Sequence, residues 1–152
     1  MIQESTYKFS DYMRPALVTV IIFTVAGPPV GNLVLAVLLP VFVFVTGQET
    51  EFADVLERVP AIFRMFGNSI PQSYASGGLQ AFVTGLFLSG YGVYRGRPTI
   101  GIAAVIATIT WIGFVLFAAQ RDAYENAMML LVHVFAAIIC AWASLRFWAR
   151  EI

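Results

Sequence analysis

The side chains of this sequence that could do chemistry are few and lie within long apolar runs. His133 is the only histidine and Cys140 the only cysteine among 152 residues. Gln80, Thr108 and Thr110 lie at a depth similar to that of His133, about 12–15 Å inside predicted membrane helices at 1.5 Å per residue. A polar side chain in hydrocarbon needs a partner. We therefore predict an internal polar cluster of Gln80, His133 and Thr108 or Thr110.

His133 allows several kinds of chemistry. An ionisable residue inside a membrane is a functional-site hypothesis by default, and a histidine can relay protons or sense pH. It can also ligate haem, although Met128 and Met129 cannot reach the same iron without distortion. The structural alternative is a neutral ring hydrogen-bonded between helices. No second histidine or nearby carboxylate joins His133 and Cys140, so we expect neither a metal site nor a bound cofactor.

Signatures of enzymes are missing from the sequence. It contains no phosphate-binding G-x-x-x-x-G-K-[ST] loop, no H-E-x-x-H, no G-x-S-x-G and no acidic pair inside an apolar run. A single cysteine allows neither an internal disulfide nor a C-x-x-C motif. The formal net charge is zero, and no run of Lys or Arg indicates nucleic-acid binding. We therefore expect a non-enzymatic protein with no catalytic residues and no nucleic-acid partner.

The composition indicates that these side chains are positioned by membrane helices. Hydrophobic residues make up 59% of the chain, charged residues 12%, and the mean hydropathy is +0.80. Soluble domains contain about 25% charged residues. Because a bilayer is crossed by about 20 apolar residues, we predict an all-α integral membrane protein, one domain over 1–152. Its four spans are expected at about 15–46, 70–94, 99–119 and 125–148.

The first predicted span is interrupted by glycines and prolines. As one helix, residues 15–46 would be ~48 Å long, whereas the hydrocarbon core of a bilayer is ~30 Å thick. Prolines remove backbone N–H groups and disfavour the helical conformation before them. We predict a kink or a short break here, in one of three forms: a bent helix, a discontinuous helix lining a substrate site, or a re-entrant hairpin. The residues concerned are Gly27, Pro28, Pro29, Gly31 and Asn32.

Between the first two spans, apolar residues recur at spacings of three and four over about 51–66. This periodicity predicts an amphipathic helix, which we expect to lie in the membrane interface. It could simply link two spans, or it could present a docking face to a partner subunit.

The distribution of basic residues predicts the orientation. Six of the nine Lys and Arg residues fall on the side of the termini in a four-span topology. An excess of Lys and Arg marks cytoplasmic loops, so both termini are expected in the cytoplasm. The residues on the side of the termini are Lys8, Arg14, Arg95, Arg97, Arg146 and Arg150, against Arg58, Arg64 and Arg121 on the other.

Two segments of the sequence contain closely spaced glycines. They are AGPPVG at 26–31, and SYASGGLQA at 73–81 with Thr84 and Gly85. Together they are similar to uncharacterised four-span inner-membrane proteins of alphaproteobacteria. The resemblance implies a bacterial inner-membrane location and no particular activity.

Three functions fit the sequence. The leading expectation is an accessory or scaffold protein of the membrane, associating with partner subunits or with itself. The first alternative is a small transporter or channel. Its path would be formed by the interrupted first helix and by the polar side chains at the depth of Gln80 and His133. The second alternative is a haem-holding membrane subunit using His133.

Overall fold

The computed structural model describes residues 9–46, 52–118 and 123–148, and 95% of these residues are helical, with no strand among them. They form five α-helices: α1 Phe9–Val45, α2 Phe52–Asn68, α3 Ile70–Arg95, α4 Ile100–Ala118 and α5 Ala123–Trp148. The all-α prediction is thus confirmed for the part of the chain that is described.

Helix α1 corrects the predicted interruption. It begins at Phe9 rather than Pro15 and is helical throughout, including Pro15, Pro28, Pro29 and Pro40. The discontinuous and re-entrant forms of the first span were therefore wrong. Each proline removes only one backbone donor from the helix, and membrane helices tolerate proline where neighbouring helices satisfy the freed groups. A bend at residues 27–31 stays a prediction.

Four of the helices pack in a ring. Helix α1 packs against α3 and α5, and α4 packs against the same two helices from the other side. The ring is antiparallel, because the beginning of α1 meets the ends of α3 and α5. Ser89 donates a hydrogen bond to the carbonyl of Ala16 at 2.9 Å, and Trp148 Nε1 donates one to Thr19 Oγ1 at 2.9 Å.

Glycines let α1, α3 and α5 approach closely. A Cβ added at Gly85 would lie 2.7 Å from the Phe23 side chain, and one at Gly92 would lie 2.6 Å from the Trp148 ring. Small residues at membrane helix contacts have this role. The position of Trp148 at the end of the last predicted span favours the membrane interface, but the side chain is only 1% exposed because it fills the space above Gly92.

Helix α1 extends beyond the start of α3. Asn32 Nδ2 lies 3.3 Å from Ser69 Oγ and 3.5 Å from the carbonyl oxygen of Phe66, at the junction of α2 and α3. Counted back from the predicted end of the first span at residue 46, Asn32 would lie near the level of Thr84, and the structure corrects this. The remaining residues of α1, 33–45, continue for about 20 Å at 1.5 Å per residue, and α2 packs against α1 on the way back.

By length and composition, α1 and α5 are apolar enough to cross a membrane, over Asp11–Val45 and Asn126–Trp148. In α4, the apolar part is the shorter stretch Ile100–Leu116. Helix α3 carries polar residues, several of them buried, including Ser73, Gln80, Thr84 and Ser89. The described residues therefore provide two membrane-length apolar helices in a five-helix fold.

Candidate functional site

A cavity of about 760 Å³ lies between α1, α3, α4 and α5. Its inner end meets the packed core, a cluster of mostly small apolar side chains. These are Phe23, Leu88, Ala103, Ala107, Ala137, Cys140 and Ala141. From there the cavity opens toward the end of the bundle where α3 and α5 begin. We call this end the mouth; Asn32, Ser73, Leu116 and Asn126 line it. The size is typical of small-molecule sites, which range over ≈ 300–1,000 Å³.

The lining formed by the described residues is mostly apolar, with polar groups at two levels and no Asp, Glu, Lys or Arg. The inner polar level is one helical turn thick and comprises Gln80, Thr84 and His133, whereas the outer one consists of Asn32, Ser73 and Asn126. A few polar groups in an apolar wall are typical of sites that orient a ligand.

His133 is held in place from α3 and α4. Its Nε2 atom lies 3.3 Å from Thr84 Oγ1, and the two share a hydrogen bond between α5 and α3. The indole of Trp111 lies beside it, with the ring centroids 6.1 Å apart at an angle of 37°. The imidazole thus faces the cavity with one nitrogen engaged and an aromatic neighbour.

Gln80 lies one turn from Thr84 on α3 and is 8% exposed. It lines the cavity, and no described residue hydrogen-bonds to its carboxamide. A carboxamide offers two donors and an oxygen acceptor. The side chain is therefore buried in the bundle with its hydrogen-bonding capacity directed to the cavity.

The two threonines predicted to join this cluster do not line the cavity. Thr108 donates to the Ala104 carbonyl of its own helix at 2.9 Å, as helical threonines commonly do. Thr110 is buried elsewhere on α4. Trp111 is the innermost α4 residue of the lining, and Thr108 lies one turn further toward the packed core. The structure thus brings Gln80 and His133 to one cavity and gives His133 a different hydroxyl partner, Thr84.

The glycine- and proline-containing segment of α1 forms one wall of the cavity. Gly27, Pro28, Gly31 and Asn32 line it, together with Leu35. A Cβ added at Gly27 would lie 2.9 Å from Ala81 on α3, so this glycine brings the two helices together beside the cavity.

Sequence reasoning did not include Thr84, Trp111 or Tyr74 in the predicted polar cluster, although the periodicity of α3 places Thr84 on the same buried face as Gln80. Thr84 stands in a stripe with Gln80 at a spacing of four, which is the signal that could have identified it. Tyr74 donates a hydrogen bond from its hydroxyl to the carbonyl oxygen of Val25. No sequence pattern pairs a tyrosine with a carbonyl on another helix.

The described residues contain no group of three or more His, Cys, Asp or Glu side chains that could hold a metal ion. Cys140 is buried in the packed core rather than exposed to the cavity. Met129 lines the cavity with His133, one turn away on the same helix.

The fold and the cavity define an all-α bundle with membrane-length helices and a mostly apolar, uncharged central site. No family model, no curated protein and no solved structure matches the chain.

Proposed function

We propose that the chain is a four-span membrane protein that binds a small molecule between its helices, as a carrier does. The cavity between α1, α3, α4 and α5 is the observation that supports this proposal. A pure scaffold gains nothing from a cavity of this size in its centre, since interiors are otherwise close-packed.

The outward faces of α3 and α4 support four spans rather than two. Large apolar side chains are exposed on both helices, and they are Leu79, Phe82, Leu86, Phe87, Val105, Ile109, Ile112 and Leu116. Exposed apolar surface of this extent marks contact with a partner or with lipid. Four polar residues of α3, Ser73, Gln80, Thr84 and Ser89, are buried, and they lower its hydropathy without preventing it from crossing a bilayer.

The proposed location is a bacterial inner membrane, with both termini in the cytoplasm and α2 in the opposite interface. The excess of Lys and Arg on the side of the termini supports the orientation. The resemblance of AGPPVG and SYASGGLQA to bacterial inner-membrane proteins supports the inner-membrane location. In this orientation the mouth faces away from the cytoplasm.

Native mass spectrometry of the protein in mild detergent tests ligand binding. We expect a bound small molecule of defined mass that is lost in Gly77→Leu. Gly77 lines the cavity, and a Cβ there meets nothing within 4 Å, so the leucine fills space without a clash at its base.

Gly90→Leu is the matched control. Gly90 is on the same helix, also has nothing within 4 Å of an added Cβ, and is exposed outside the cavity. An adduct that persists equally in both variants would be surface lipid, and the proposed binding function would be wrong.

A second candidate function, a membrane accessory subunit, is favoured by the length of α1. Exposed apolar residues follow one another every fourth position from Leu17 to Val25 and from Leu33 to Val45. They extend over about 42 Å, beyond the ~30 Å that lipid tails cover. A partner subunit or a second copy would cover the remainder. The same mass spectra test this, because a monomer with no co-purifying protein contradicts it.

A further inference from the structure

We propose that the cavity takes an uncharged, elongated ligand whose carbonyl, amide or hydroxyl head binds Gln80, with an apolar body directed to the mouth. This inference rests on the proposed binding function and adds the chemical class and the pose. It depends on three features of the lining: an unpartnered amide, the absence of charge, and the separation of the two polar levels.

The amide of Gln80 identifies where the ligand head binds. The side chain is 8% exposed, and none of the described residues donates to it or accepts from it. No buried side-chain nitrogen or oxygen atom of the described residues lacks a hydrogen-bond partner, so the carboxamide atoms of Gln80 are accessible from the cavity, where a ligand can bond to them. By contrast, Thr84 and His133 already bond each other. A ligand group that both donates and accepts hydrogen bonds, or a carbonyl that only accepts them, would provide partners for the Gln80 carboxamide.

The absence of charge around the cavity selects an uncharged ligand. Among the residues that the structure describes, no acidic or basic side chain lines it. An ionised ligand would lose its hydration between the helices and find no counter-charge, which is costly in a low-dielectric environment. Neutral polar groups, in contrast, lose only hydrogen bonds to water that Gln80 can replace.

The spacing of the polar levels defines the ligand body. Ser73 at the mouth and Gln80 are separated by two turns of α3, about 10 Å. Between these levels the wall includes glycine and apolar side chains, among them Gly31, Gly77 and Met129. Further in, Phe23 and Trp111 flank the inner polar level. A polar head with a medium-length apolar chain matches this order.

Three probes of equal length test the ligand class. Octanamide is neutral, octanoate is an anion and octylamine is a cation at pH 7.5. Each is titrated into the full-length protein in nanodiscs while tryptophan fluorescence is followed, and empty nanodiscs correct for partitioning into lipid. We expect saturable binding of octanamide, at least tenfold tighter than that of either ion. The signal should be lost in Trp111→Phe, since Trp111 lines the site.

Substitutions of two glutamines test the pose. Gln80→Leu should weaken octanamide binding about tenfold, the loss expected for one hydrogen bond to a buried amide. Gln72→Leu makes the same chemical change at an exposed position of α3 outside the lining and should leave the affinity unchanged. Gln80→Met, which keeps an unbranched side chain, provides a second variant should the leucine impair folding.

The outcomes separate the two proposals. Equal affinity for octanoate, unchanged affinity in both Gln80 variants, or no saturable octanamide binding would overturn the ligand class and pose. The proposed binding function would survive these results if Gly77→Leu still removed the molecule seen by native mass spectrometry. A cavity that holds water only would show neither effect, and both proposals would then be wrong.

Discussion

The hydroxyl of Tyr74 on α3 donates a hydrogen bond to the backbone carbonyl oxygen of Val25 on α1. In an uninterrupted helix this carbonyl would accept from the amide of residue 29, but that residue is Pro29 and has no N–H. The tyrosine therefore supplies the donor that the proline lacks. This contact explains how α1 remains helical at a position where its sequence indicated a break.

The first prediction concerns this replacement of a backbone donor. Tyr74→Phe removes the hydroxyl and leaves the Val25 carbonyl without a partner, so the free energy of unfolding should fall by about 1 kcal/mol. Reversible unfolding in mixed micelles measures this change.

A double-mutant cycle provides the control. Pro29→Ala restores an amide N–H that can bond Val25 within the helix, so Tyr74→Phe should cost much less in that background. Equal losses in both backgrounds would show that the tyrosine stabilises the protein in some other way.

The second prediction concerns the close approach of α3 and α5. Gly92→Ala would place a Cβ 2.6 Å from the Trp148 ring, and overpacking of this kind costs about 1–3 kcal/mol. Gly90→Ala, on the same helix with open space around it, should instead stabilise the helix by up to about 1 kcal/mol. Thermal unfolding in detergent compares the two, and a Gly92→Ala protein as stable as the parent would contradict the packing described.

The third prediction concerns the hydrogen bond of His133. Thr84→Val removes the hydroxyl that bonds across from α3 to α5, and such bonds contribute about 0.6 kcal/mol in membrane helices. Thr108→Val should change stability little, because that hydroxyl bonds only its own helix. Unfolding free energies of the two variants check this, and a larger loss in Thr108→Val would favour the cluster expected from the sequence.

The fourth prediction concerns the number of spans. In a Cys140→Ala background, Glu57→Cys and Arg97→Cys each place one thiol at an exposed position, the first on α2 and the second between α3 and α4. With four spans and cytoplasmic termini, a membrane-impermeant maleimide should label position 57 in spheroplasts, and position 97 only after lysis.

Labelling at both positions in spheroplasts would mean that α3 does not cross the membrane. In that case only α1 and α5 would remain as spans, and the cavity would lie outside the bilayer or at its edge.

Much of the helical architecture follows from the sequence alone. Apolar runs near membrane length, separated by short polar stretches, predicted helices whose bounds lie near those observed for α3, α4 and α5, and apolar spacings of three and four predicted α2. Helical periodicity also placed Gln80 and Thr84 on one buried face of α3, because residues four apart lie on the same side of a helix. These properties depend on neighbours along the chain, which the sequence contains directly.

The register between helices was decided only by the tertiary structure. Depth counted from the predicted ends placed Asn32 near Thr84, whereas packing places it beside Ser69 because α1 extends past the start of α3. Because of the same register, His133 shares a hydrogen bond with Thr84 rather than with Thr108, and the Tyr74 hydroxyl donates to the Val25 carbonyl. Such pairs join residues far apart in the chain, and they depend on how side chains and glycines fit between helices. Local hydropathy and proline chemistry contain no information about that fit.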